Sequence, residues 1–384
     1  MIYFDNGSTS FPKAPGVGEA MANLLAISAF NINRGGYAGA YRVADMVLDT
    51  RELVCQLLDW DDPKNVAFSG NITQSLNMLL KGYLKKGDHV VVSSLEHNAV
   101  MRPLNQLAEL GVSFDAARAE ADGCLPIERV EALIRPETKM VVLTHASNVC
   151  GTVLPIEEAA ALCRARGLHF VIDAAQTAGV LPLSMKKLGA SAIAFTGHKG
   201  LLGPQGIGGM LISDDFAKEL EPLISGGTGS VSDTEFIPAF LPDRFESGTM
   251  NLPGVAGLNA ALQYVLKTGT AAIYEAEMAL CGRFLAGARA LPGVRIVGVD
   301  GLEGRVSTVS LDFTPAGLDN AAVAFRLDSE HGVMTRCGMH CAPRAHKTLG
   351  TFPQGTVRFA FGHTNTAEEV DICLAALTGM IKGS

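Results

Sequence analysis

The sequence predicts an α/β protein, with a large unit built on a mostly parallel sheet and a smaller C-terminal α+β unit. Two observations carry this. From about residue 41 to residue 212, short β-branched runs alternate with helical stretches. Continuous apolar runs separated by helices indicate parallel strands covered on both faces. After residue 252 that alternation stops and helices and strands follow in mixed order, which suggests a second, smaller unit.

In chain order, the first part predicts a helix at 42–58, a strand at 65–69, a helix at 74–83 and a strand at 89–93. A helix at 99–110 and one at 127–134 lead to a strand at 140–144, a helix at 156–165 and strands at 169–172, 192–195 and 208–212. One long helical region, 255–291, opens the second part. Strands at 295–297 and 306–313, a helix at 320–331, a strand at 356–361 and a helix at 367–381 follow. The corresponding domains are 15–253 and 254–384, with residues 1–14 packing near the active site and the small domain.

A chain of 384 residues, 48% apolar and 18% charged, is long enough to bury a large core. Its net charge of −8, with no basic run interleaved with aromatics, argues against a nucleic-acid partner. The N-terminus lacks the basic-then-apolar stretch of a signal peptide, and the longest apolar runs are strand-sized, so no membrane span is expected. Eight scattered cysteines without framework spacing fit a reducing cytoplasm.

In an open α/β sheet, ligands bind beyond the carboxyl ends of the strands. After the strand at 192–195 comes Thr196-Gly197-His198-Lys199-Gly200. A lysine in a Gly-rich loop invites a phosphate-loop reading, but the required order of glycines, lysine and Ser/Thr is absent. Two readings stay open: a solvated loop lysine, or one forming a Schiff base with an aldehyde while Thr196 and His198 hold an anionic group. One strand earlier, Asp173 either caps the next helix or faces the nitrogen of a pyridine ring, whose protonated form is the better electron sink. Gln176, about a helical turn on, and Asn148, after the strand at 140–144, are candidates for the ring oxygen. His97 either stacks on the ring and moves a proton or is an idle loop histidine. In Ser69-Gly70-Asn71-Ile72-Thr73, the free N–H groups of a helix N-terminus and the Thr73 hydroxyl form a phosphate cup. Placed together at successive strand ends, these residues point to pyridoxal 5′-phosphate held covalently through Lys199.

Thr196-Gly197-His198-Lys199, Asp173 with Gln176, Glu96-His97, Ser147-Asn148-Val149-Cys150-Gly151-Thr152 and Arg244-Phe245-Glu246-Ser247-Gly248-Thr249 together resemble the class V aminotransferase superfamily. More narrowly, they are similar to its cysteine desulfurase and selenocysteine lyase branch. The resemblance runs from Tyr3-Phe4-Asp5-Asn6 to Asp371. It implies the aspartate-aminotransferase-like fold, with Lys199 carrying the cofactor, Asp173 at the ring nitrogen and His97 on the ring face. It further implies Gln176 and Asn148 at the ring oxygen, and Ile72, Thr73, Thr196 and His198 at the phosphate. A homodimer is implied too, the loops at 226–229 and Gly248-Thr249 completing the neighbouring subunit's phosphate site.

The choice of reaction turns on Arg336-Cys337-Gly338-Met339-His340-Cys341-Ala342-Pro343. A desulfurase needs a thiol on a mobile loop, partly ionised although a free thiol has a pKa of about 8.5. Arg336 and His340 would favour the anion and Gly338 would let the loop move. The alternatives are two buried, inert cysteines, or a zinc site from Cys337, His340, Cys341 and His346, which lacks a matching second pair; no metal is expected. The segment resembles the short catalytic loop of second-group cysteine desulfurases, which implies a persulfide on Cys341. Cys337 is then a candidate to form a disulfide with Cys341 or to relay sulfur. Arg358 matches the family's arginine for the substrate α-carboxylate, which suits a planar two-pronged donor; the alternative is a surface strand arginine. Asn33 and Arg34 are expected at the entrance and Asn6 near that carboxylate.

The resemblance thus implies conversion of L-cysteine to L-alanine, with sulfur passing to Cys341 and on to an acceptor protein or thiol. The segment 343–351 departs from the best-known members and leaves the acceptor open. The rivals are a selenocysteine lyase acting on L-selenocysteine, an aminotransferase, which gives Cys341 no task, and a cofactor-binding scaffold without activity.

Overall fold

The computed structural model describes residues 1–32 and 35–383. Its main sheet has seven strands, in the order Val66–Ser69, Gly208–Ile212, Ala192–Thr196, His169–Asp173, Thr138–Thr144, His89–Ser93 and Ser113–Ala117. All pairs are parallel except those of Gly208–Ile212, which runs against both neighbours. The pleat sends alternate residues to opposite faces. Val91, Val141, Leu143, Ile172 and Ile193 feed one buried cluster, and Val90, Val92, Met140, Val142 and Val171 the other. Helices therefore cover both faces, as the unbroken apolar runs require.

The strand Ser113–Ala117 has no counterpart among the predicted elements. Its sequence, SFDAA, is largely half-buried and pairs only with His89–Ser93 at the sheet edge. An edge strand with one neighbour has no continuous apolar run to betray it.

The register brings the strand ends level. Thr144 pairs with Asp173, Asp173 with Ala194, and Gly208 with both Thr196 and Ser69. The chain leaves the parallel strands along one rim and enters the antiparallel Gly208–Ile212 there, so the connecting loops converge at that rim.

The smaller unit has four antiparallel strands, in the order Arg336–Gly338, Thr356–Ala360, Thr308–Asp312 and Arg295–Val297. Phe284, Val309, Leu311, Val357, Phe359 and Leu377 share one buried cluster, which joins the helices Thr270–Ala288 and Ala367–Lys382 to the sheet. Thr366 and Glu369 open the last helix with reciprocal side-chain caps.

The expected helical region 255–291 is two helices, Leu252–Thr268 and Thr270–Ala288, joined at Gly269 with φ 86°. The first packs on Val17–Ile27 and Ala38–Leu58 and buries Val255, Leu258 and Leu262 with the large unit. The second joins the small unit. Two different burial partners require a break in the helical region, and it falls at Gly269.

The N-terminal segment spans both units. Ile2–Tyr3 pairs in parallel with Val333–Met334, and Asp5 bridges to Ala360. The Ser10 and Ala14 N–H groups then donate to the carbonyls of His198 and Leu202. A second tie holds the loop before Thr249: the Arg51 guanidinium forks onto the Glu246 carboxylate at 2.8 and 2.6 Å, and Glu246 accepts the Phe68 N–H. Among the described residues, no helix is long and apolar enough to cross a membrane.

Candidate active site

Lys199 lies in the loop after Ala192–Thr196, half-buried at the strand-end rim. Its Nζ has no hydrogen-bond or ion-pair partner among the described residues. Burial lowers its pKa to about 8; Asp173 opposes that shift, and Arg358 and Arg336 reinforce it. Asp173 closes the neighbouring strand and is almost fully buried. One of its oxygens accepts the Ala175 N–H at 2.9 Å. Burial raises its pKa, against the pull of that hydrogen bond and of Lys199.

His97 caps the helix Asn98–Glu109, its Nδ1 accepting the Ala99 N–H at 3.0 Å. The ring proton must therefore sit on Nε2. Burial, with Lys199 and Arg336 next, lowers the His97 pKa to about 4, so the ring is neutral at physiological pH. Beneath it, Glu96 is fully buried and receives the Ser93 hydroxyl and the Thr144 N–H. Burial raises the Glu96 pKa to about 8. Glu96 ties the His97 turn to the end of the strand Thr138–Thr144.

An anion cup lies next to Lys199. Thr196 Oγ1 and His198 Nδ1 are buried with no hydrogen-bond partner. Such orphans are rare unless something else satisfies them. In register with Thr196 is Gly208, where a Cβ would come within 3.1 Å of the Ile72 nitrogen. That nitrogen begins the helix Ile72–Tyr83, capped by Asn71, whose side chain takes the Gln74 N–H and leaves the Ile72 and Thr73 N–H groups unpaired. The Thr73 side chain is exposed.

Arg358, on Thr356–Ala360, is 1% exposed. It donates to Asp5 at 2.8 Å, to Ser8 at 2.7 Å and to the Asn148 carbonyl at 2.9 Å, while its Nε is buried without a partner. Arg336 reaches the same Ser8 hydroxyl at 2.9 Å and the Cys341 sulfur at 3.7 Å. Two guanidinium groups thus meet over Ser8. Asp5 and Ser8 carried no signal as loop residues, because their partner lies about 350 positions away along the chain.

Cys341 is exposed, and it and His340 both have left-handed backbones, φ 58° and 47°. The strained tip is held by its carbonyls. The Asn98 N–H donates to the Cys341 oxygen at 2.8 Å, and the Asn148 side chain donates to the His340 oxygen at 2.7 Å. Below, His340 Nε2 lies 3.0 Å from the Thr356 hydroxyl.

Cys337 is differently placed. On Arg336–Gly338, Arg336 pairs with Arg358 and Cys337 with Val357. The two arginines point into the site, so the pleat turns Cys337 to the face of the buried Val357. The expected Cys337–Cys341 disulfide or relay is opposed by this alternation. No group of three His, Cys, Asp or Glu side chains suited to a metal occurs among the described residues.

Of the remaining candidates, Gln176 and Asn6 line one small cleft with Lys199. Both are engaged there: Gln176 donates to the Gly7 carbonyl at 3.2 Å and Asn6 to the Ala360 carbonyl at 3.1 Å. Thr249 is exposed and borders a pocket with Ser69, Gly70 and Gln74. Asn33 and Arg34 lie outside the described residues. A larger cavity, lined by His145, Glu157 and Arg164 among others, contains none of the candidate residues.

The model of the family "Aminotransferase class-V" matches residues 2–373. The chain belongs to the class-V aminotransferase family. A probable cysteine desulfurase of Pyrococcus abyssi is 34% identical, over 100% of this chain and 94% of its own length. One from Methanothermobacter thermautotrophicus is 32% identical, over 97% and 92%. Among solved structures, the apo cysteine desulfurase of Thermococcus onnurineus NA1 superposes with a TM-score of 0.93 at 33% identity, over 100% of this chain and 95% of that one. The cysteine desulfurase CsdA of Escherichia coli gives 0.89 at 29% identity, over 99% and 94%. This class-V chain carries an unpaired lysine amine, a buried carboxylate and a cup of unpaired donors along one rim. Those are the complements of an aldehyde, a ring cation and a phosphate.

Proposed function

We propose that this protein is a pyridoxal 5′-phosphate-dependent cysteine desulfurase. The observation that carries the reading is the placement of Cys341. It is exposed at a docked loop tip, 3.7 Å from the Arg336 guanidinium that also acts electrostatically on Lys199 and His97.

Bound pyridoxal phosphate supplies an aldehyde for Lys199 and an electron sink for the substrate carbon. The Thr196 hydroxyl, His198 and the Ile72 and Thr73 N–H groups hold the phosphate. Asp173 would hold a proton at the ring nitrogen. His97, neutral with its proton on Nε2, covers the ring face. Asn148 and Gln176, whose amides already donate to the His340 and Gly7 carbonyls, would address the ring oxygen with their second N–H.

The Arg358–Arg336 corner draws the carboxylate of L-cysteine, and Asn6 holds the backbone beside it. Lys199 Nζ, in its neutral form, would remove the Cα proton. The Cys341 thiolate then attacks the substrate sulfur, the Cβ–S bond breaks and a persulfide remains on Cys341. Reprotonation of the carbon skeleton yields L-alanine, and an acceptor protein or thiol takes the sulfur.

A homodimer is part of the proposal. Exposed apolar side chains gather in two segments, Leu25, Ile27 and Tyr41 in one and Ile224, Phe236 and Phe240 in the other. One pocket joins these segments through Leu48, Thr228 and Thr249. A second copy covering this face would bring Thr249 to its phosphate cup.

The deciding experiment incubates the protein with L-cysteine and a thiol reductant and measures sulfide and alanine together. Equal amounts of both are expected. Alanine without sulfide, or a keto acid in place of alanine, overturns the assignment.

A further inference from the structure

A buried acid outside the site just described shares its cleft. Glu277, on Thr270–Ala288, is 7% exposed and lines the same small cavity as Lys199. The rest of that wall includes Asn6, Ser10, Gln176 and Ser307. The space is about 40 Å³, room for about three or four waters at roughly 10–15 Å³ each. Neither Lys199 Nζ nor the second Glu277 oxygen has a protein partner among the described residues.

Hydrogen-bond arithmetic defines the acid's state. Ser307 Oγ lies 3.0 Å from Glu277 Oε2 and 3.0 Å from the Phe361 carbonyl. A hydroxyl has one proton, and a carbonyl can only accept. If Ser307 gave its proton to a carboxylate, the buried Phe361 oxygen would be left without a donor. All three groups are satisfied when Ser307 donates to Phe361 and Glu277, as the acid, donates to Ser307.

We infer that Glu277 is held as the neutral acid and stores a proton for Lys199, exchanging it through water in the shared cleft. Glu277 passes a proton to water and water passes one to Nζ; the carboxylate so formed takes it back when Lys199 next releases one. No net charge enters or leaves. Burial, opposed by the Ser307 hydrogen bond, raises the Glu277 pKa to about 8, and burial lowers that of Lys199 toward the same range. The titratable groups nearest it are Lys199, which lines the same cleft, and Cys281 and Tyr274, one turn on and one turn back along its own helix, both acted on by Arg305.

The role in turnover rests on the desulfurase reading; the protonation state does not. Infrared difference spectra of cofactor-free wild type against Glu277→Gln should show the carbonyl stretch of a protonated carboxyl at pH 7, fading above about pH 8. The Gln variant should keep the thermal midpoint and cofactor content of wild type. Its sulfide production should slow about tenfold and lose the wild-type pH profile, a modest share of general acid–base effects. Glu277→Asp should restore that profile. Absence of the acid band, or superimposable pH–rate profiles, overturns the inference. If Glu277→Gln does not fold, Ser307→Ala carries the spectral test: its loss of the acceptor should shift the band, and an unmoved band overturns the assignment. Wild type that makes no sulfide defeats the desulfurase reading and with it the turnover role, while the spectra still decide the state of Glu277.

Discussion

A lysine with a pKa near 8 should behave differently from a surface lysine, and the difference can be worked out. At pH 7 an amine of pKa 10.5 is neutral in about 0.03% of molecules, whereas Lys199 at about 8 is neutral in about a tenth. The site thus holds about 300 times more nucleophile at that pH, before correction for its lower basicity. The perturbation that tests the cause is Asp173→Asn. Asp173 supports the ammonium form, so removing its charge should push the Lys199 pKa lower still. The assay mixes cofactor-free protein with pyridoxal 5′-phosphate from about pH 6 to about pH 10 and follows the yellow colour by stopped flow. The rate should level off near pH 8 in wild type and at lower pH in Asp173→Asn, with no colour in Lys199→Ala. A wild-type midpoint near 10.5, or an upward shift in the Asp173 variant, would refute the reasoning.

Further outcomes follow from single contacts. Gly151 has φ 76°, and a Cβ there would lie 2.4 Å from the Thr308 carbonyl. Gly151→Ala should therefore cost about 3 kcal/mol or more in a urea titration, from backbone strain plus overpacking. His97→Ala loses the cap on the Ala99 N–H and should cost about 1 kcal/mol of stability. His97→Asn should recover that stability but not activity. Cys341→Ser should form no persulfide detectable by mass spectrometry, while Cys337→Ser, turned away from the site, should form it at the wild-type rate. Glu96 has its folded-state pKa raised to about 8 from 4.5. Its contribution to stability is therefore full below about pH 4.5 and is lost as pH rises through about 8. Glu96→Gln should flatten that part of the denaturation profile.

The parallel strands were legible because burial on both faces leaves an unbroken apolar run, and such runs do not depend on which strand lies next door. Lys199, Asp173, Asn148 and His97 were legible for the same reason, since each follows a strand whose end could be read. Ser113–Ala117 was hidden because pairing at one edge, not composition, makes it a strand. The break at Gly269 was hidden because two helices with different burial partners read as one apolar stretch.

By itself, the sequence determined the α/β class, the strand-end residues and the loop carrying Cys341. Those features rest on local period and on residue type. The tertiary structure alone decided what the polar side chains face. It set Arg358 and Arg336 over Ser8, turned Cys337 from Cys341, put the ring proton of His97 on Nε2 and placed Glu277 in the cleft of Lys199. Each depends on partners distant in the chain, because a buried polar group's state is decided by whichever donor or acceptor the packing brings to it.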